Sequence, residues 1–216
     1  MSLSKKLRIV DSAALALVAG TLGVSALVYP RLPARVATHF DAHGVADGFS
    51  PKVVGAFLLP VIAAAVWGFV RFYPRLLRGD ARARALASPL AEVALMVVAF
   101  FVALHVVVLD VALSGASSGG RGLALVLALF SVALGLVMPK LRRNGVAGIR
   151  TSATLASDET WARTHRFGGA VLVVGGVVGL FGAARGLVVV PVVALVLASL
   201  AAVVYSYVIR PKASRP

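Results

Sequence analysis

Apolar residues along this chain gather into six long runs, at roughly 11–29, 53–72, 89–113, 122–138, 167–184 and 187–209, separated by short polar gaps. Each run approaches the ~20 residues that an α-helix, rising about 1.5 Å per residue, needs to cross a hydrocarbon core about 30 Å thick. The pattern predicts an all-α integral membrane protein, a six-transmembrane-helix bundle. The longest gap, 139–166, is too short to build a soluble domain of ordinary size. A single membrane domain over 1–216 is therefore expected. Within it, 11–72 forms an N-terminal two-helix unit around a loop at 30–52, and 89–209 forms a four-helix unit with a loop at 139–166.

Composition agrees with this reading. Hydrophobic residues make up 60% of the chain and charged residues only 14%, against roughly half and a quarter in soluble domains. With no cysteine, disulfides, thiolate metal sites and cysteine nucleophiles are excluded. The net charge of +14 would suit nucleic acid, but its placement says otherwise. Lys5, Lys6 and Arg8 precede the first run, and Arg71, Arg75, Arg78, Arg82 and Arg84 follow the second. Lys140, Arg142, Arg143, Arg150, Arg163 and Arg166 follow the fourth, and Arg210, Lys212 and Arg215 close the chain, so that alternate gaps hold 17 of the 22 basic residues. Lys and Arg accumulate in cytoplasmic loops, which puts both termini in the cytoplasm and 30–52, 114–121 and 185–186 outside. Contact with anionic lipid headgroups accounts for these bases, and no direct nucleic-acid binding is expected. The basic start and small residues of the first run also fit a signal peptide. Retention is expected, because its loss would leave five spans and place the two ends on opposite sides.

Small and special residues mark the packing. Gly168, Gly175, Gly179 and Gly182 share one face of the fifth run, where another backbone can approach closely, within the molecule rather than in a homodimer. The short turn at Ala184, Arg185 and Gly186 makes the last two helices an antiparallel hairpin. Pro60 and Pro191 lie inside apolar runs, where a missing amide donor can bend a helix. Ser88 and Pro89 are expected to cap and open the third helix.

Ionisable groups inside a bilayer are costly and face a bundle interior or a cavity. After the first run, Glu92, His105 and Asp110 are the clear cases, all on the third run. Glu92 is expected to pair with Arg84 or Arg150, Asp110 with Arg121 or Arg31, and His105 to bond a neighbouring helix. A proton relay or transport role is the alternative.

Two loops carry more chemistry than a linker needs. The first contains Tyr29-Pro30, Leu32-Pro33 and the segment His39-Phe40-Asp41-Ala42-His43-Gly44, followed by Asp47. His39, Asp41, His43 and Asp47 are weak candidates for a divalent-metal site, since imidazole and carboxylate suit zinc. The competing reading is a turn whose His and Asp side chains satisfy local backbone groups. No metal and no cofactor are expected. The second loop runs Gly148-Ile149-Arg150-Thr151, then Thr154-Leu155, then Ser157-Asp158-Glu159 as the start of a helix leading into the fifth run. On that helix Trp161, Thr164, His165 and Gly168 share a face, with Trp161 expected at headgroup depth. Arg150, near the helix entry, can grip a carboxylate or phosphate with its forked donors. An enzyme using His165 and Glu159 as acid and base is a further alternative, although six positions separate them.

Together these segments resemble a known family. Tyr29-Pro30, Leu32-Pro33, His39-Phe40, Gly44, Asp47 and Lys52, followed by Leu59-Pro60, are similar to the short uncharacterised N-terminal domain of SdpI-type membrane proteins. Gly148-Ile149-Arg150-Thr151, Thr154-Leu155, Trp161, Thr164-His165-Arg166 and Gly169 resemble that family's second signature; His43 is a departure from the pattern. The resemblance implies a bacterial integral-membrane immunity protein of the cell membrane, non-enzymatic, protecting against a secreted peptide toxin. It further implies a receptor that relays toxin binding to a cytoplasmic transcriptional repressor. On that reading 29–52 faces the peptide, and Arg150, Trp161, His165 and Arg166 form an inner site. Transport, or an enzyme acting on a peptide or lipid-linked substrate, remains the alternative.

Overall fold

The computed structural model describes residues 3–76 and 81–209. Among the described residues six helices are long and apolar enough to cross a membrane: α1 (Leu3–Val28), α2 (Lys52–Leu76), α3 (Ala81–Ser114), α4 (Gly120–Val137), α6 (Asp158–Ala184) and α7 (Val189–Val208). A five-residue helix, α5 (Ser152–Ala156), lies in the loop before α6. Between α1 and α2 the chain forms a two-stranded antiparallel hairpin, β1 (Arg35–Phe40) and β2 (Ala46–Pro51), which the hydrophobic pattern did not reveal.

Packing sorts the helices into two layers that meet between α3 and α4. α3 packs chiefly on α2 and α1, while α4 and α7 flank α6. Glycine sets the second layer. A Cβ at Gly169 would lie 2.6 Å from the Gly135 carbonyl oxygen of α4, and one at Gly176 would lie 2.8 Å from that of Ala128. On the adjoining face Gly168, Gly175, Gly179 and Gly182 meet Ala202, Ala194, Pro191 and Val190 of α7, so the glycine row serves intramolecular packing.

Two sequence expectations about proline need correction. α3 begins seven residues before Ser88, leaving Pro89 inside the helix, and Ser88 donates to Glu92 instead of capping. The Ala- and Arg-rich stretch 81–87 has high helix propensity and carries the helix past the lost bond. Pro191 falls in the first turn of α7, where its absent N–H has no partner to lose.

Candidate functional site

The hairpin end is built as one unit. Asp41 Oδ1 accepts the backbone N–H groups of His43 and Val45, both at 2.8 Å, closing the turn between the strands. Those bonds, led by Val45, hold its carboxyl below the ordinary aspartate value. Gly44 sits at φ 77°, so that a Cβ there would overlap Gly120 at the start of α4. The turn is tied down on two sides. Gly44 O accepts from Ser118 Oγ (2.9 Å) and from Gly119 N (3.0 Å), Ala46 N donates to Ser117 O, and Val189 N of α7 donates to Ala42 O. Leu32 and Val36 are buried against Ala56, Val108 and Leu109, and Phe40 packs toward Leu123 and Ala124.

Of the other first-loop residues, Tyr29 packs its ring on Phe57 and lies under Lys52 Nζ, 4.5 Å from the ring centre; Pro30 opens a 3-10 turn, and Pro33 is exposed. His39 Nδ1 and Asp47 Oδ1 meet at 2.6 Å across the exposed face of the hairpin. No group of three or more His, Asp or Glu suited to a metal occurs among the described residues, and Asp41 satisfies backbone groups instead.

At the opposite end the second signature folds around Trp161 and His165. Their rings stack 4.1 Å apart at 17°, and Trp161 is only 1% exposed. Trp161 Nε1 donates to Leu141 O (2.7 Å), so the indole is a buried support for the loop. His165 Nδ1 donates to Trp161 O (2.8 Å), while its Nε2 accepts the Ile149 N–H (3.1 Å). Because a carbonyl only accepts and an amide only donates, these bonds define a neutral imidazole with the proton on Nδ1. Gly148, at φ 116°, lays bare backbone over the pair, and any Cβ there would overlap His165 Nε2.

The remaining signature residues close this loop. Thr151 and Thr154 form a reciprocal cap at α5, Thr154 Oγ1 donates to Ile149 O, and Thr151 Oγ1 meets Ser206 Oγ of α7 at 2.9 Å. Ser157 caps α6 as expected, accepting from Thr160 N. Arg143 grips Asp158 and the Leu155 carbonyl, and Asn144 bonds Arg142 O, Ala147 O, Val146 N and Ala147 N. Asn144 was missed, although Asn-Gly is a turn signal. Leu155, Arg150 and Arg166 are exposed. Arg150 borders a mainly apolar cavity of about 410 Å³ between α3, α4, α7 and this loop. Glu159 pairs with Arg163, and both ring nitrogens of His165 are engaged, so the suggested acid–base pair is not assembled.

The intramembrane groups are separate. Glu92 pairs with Lys6 of α1 and makes no ion pair with Arg150 among the described residues; the other expected partner, Arg84, has its side chain outside the described residues. His105 is fully buried and shares a 2.7 Å bond with Ser25 Oγ of α1, as expected. Asp110 makes no ion pair with Arg121 or Arg31 among the described residues. A further pair, Asp11 with Arg71 at 2.7 Å, joins α1 to α2.

Residues 16–64 match the model of a domain of unknown function, DUF1648, and residues 140–208 match that of the SdpI/YfhL protein family. No curated protein and no solved structure matches the chain. The first match covers half of α1, the hairpin and half of α2; the second covers the Trp161–His165 loop with α6 and α7. Six membrane-length helices among the described residues, carrying these two segments in this order, make the chain a multi-pass membrane protein and support its assignment to the SdpI/YfhL family.

Proposed function

We propose that this protein is a non-enzymatic immunity protein of the bacterial cytoplasmic membrane, with both termini inside the cell. The hairpin end meets a secreted peptide toxin outside, and the opposite loop relays the encounter to a cytoplasmic transcriptional repressor. One observation carries the reading: the two family-matched segments fold into ordered structures at the two opposite ends of one helix bundle. A receptor that reports across a bilayer requires folded elements on both faces. The charge asymmetry supports the direction, since the loop holding Lys140, Arg142, Arg143 and Arg150 is the basic one.

Within the inner site the roles divide by exposure. Trp161 and His165 hold the loop in shape from beneath. Arg150 and Arg166 are exposed and have no hydrogen bond or ion pair among the described residues, leaving them to engage a partner's carboxylate or phosphate. Expression in a toxin-sensitive bacterium is expected to confer protection, and Arg150→Ala to reduce it at unchanged membrane abundance. Absence of protection against every related peptide removes the proposal.

A further inference from the structure

At the hairpin end a cleft of about 640 Å³ opens between the last turns of α3, the start of α4 and the α6–α7 turn. Three charged side chains line it: Asp110 of α3, Arg121 of α4 and Arg185 of the turn. All are exposed, and none has an ion pair among the described residues. Glycine brings their carriers together. A Cβ at Gly120 would lie 2.7 Å from the Gly186 carbonyl oxygen and 2.9 Å from that of His43, and one at Gly186 would lie 3.6 Å from Arg121 Cγ. The two arginines, 64 positions apart in the chain, thus border one opening, held in register by the docked hairpin turn.

The chemistry of the lining selects a ligand. Two guanidiniums offer forked donors to a phosphate. An anion alone would leave the Asp110 carboxylate facing it, whereas a ligand bearing a nearby ammonium pairs with all three groups. A quaternary ammonium is favoured by aromatic faces, and no aromatic ring lines the cleft among the described residues. A primary ammonium, with three N–H donors, suits the carboxylate instead. Along one side the cleft is walled by Val106 and Val107, and Val106 is 59% exposed on α3, an apolar path away from the charged end. Asp110 lies about one helical turn, ~5.4 Å, from the end of α3, so the charged groups sit at the end of the membrane-length helix and the valines lie further along it.

We infer that the cleft of Asp110, Arg121 and Arg185 is a binding site for the headgroup of a phosphatidylethanolamine-type lipid, phosphate on the arginines and ammonium on the carboxylate. The site lies outside both family-matched segments at Asp110 and Arg121 and does not depend on the toxin reading.

Native mass spectrometry of the purified full chain tests it, with phosphatidylethanolamine, phosphatidylcholine and phosphatidylglycerol of equal acyl length supplied together. Phosphatidylethanolamine is expected to be retained roughly fivefold over each of the others, the scale of one partly exposed charge contact. Asp110→Asn should abolish the advantage over phosphatidylglycerol. The Arg121→Ala, Arg185→Ala double variant should lower retention of all three lipids, which share the phosphate, and the matching double Lys variant should keep part of it. Equal retention of the three lipids by the unaltered protein overturns the inference without recourse to any variant. So does lipid retention unchanged by loss of both arginines, a preference that survives Asp110→Asn, or free phosphoethanolamine binding as tightly as the lipid.

Discussion

Gly148 shows how one residue type can determine a whole loop. Its positive φ and the absence of a Cβ allow the backbone to lie on the Trp161–His165 stack, and the next amide, Ile149 N–H, then reaches His165 Nε2. Gly148→Ala places a methyl group where the imidazole nitrogen sits and forces a conformation that L-residues avoid. The variant is expected to lose more than about 1 kcal/mol of stability, since Ala at positive φ costs more than the entropy it saves. Thermal denaturation in detergent measures this, and an unchanged midpoint would show that the loop adapts. Histidine at this position illustrates what sequence can and cannot reveal. The 3 and 4 spacing put Trp161, Thr164, His165 and Gly168 on one face, and all four are buried. What spacing did not contain was the partner of that face: an indole at a helix start is as consistent with a lipid interface as with a protein interior, and the partner, Leu141 O, is twenty positions away.

At the scale of elements, the six spans were legible because a bilayer demands long apolar helices and little else imitates them. The hairpin was not. β1 and β2 are six residues each, their alternation is broken by two register irregularities, and the turn between them is anchored by Ser117, Ser118, Gly119 and Val189 in distant segments. The glycine row of α6 was readable as a packing face, but only the fold assigns it to α7 and reveals the second row, Gly169 and Gly176, against α4. Hairpin docking has its own test. Gly44→Ala collides with the α4 start and should release the turn while leaving the helices intact. Hydrogen exchange is expected to quicken at the Ala46, Gly119 and Val189 amides, each of which donates across the docking contact, and to remain slow within α3 and α6. Unchanged protection at these three amides would mean that the turn is held by something other than this close approach.

For the molecule as a whole, orientation is the property on which the functional proposal turns, and the absence of native cysteine makes it directly measurable. Ala42 and Ala156 are both exposed, at the hairpin end and in the opposite loop respectively. Single-cysteine variants at these positions are expected to differ: a membrane-impermeant thiol reagent should modify position 42 in intact cells and position 156 only after permeabilisation. The reverse pattern would invert the proposed direction of sensing. The same two ends are joined by a continuous piece of backbone. α6 extends from the Ser157 cap beside the Trp161–His165 stack to the turn preceding Val189, whose amide is held by Ala42, a rod of 27 residues and about 40 Å. A packed helix resists compression along its axis, so a shove delivered at the hairpin tip is passed on as tilt or sliding, and the stacked rings at the far end form the hinge plate that must move with it.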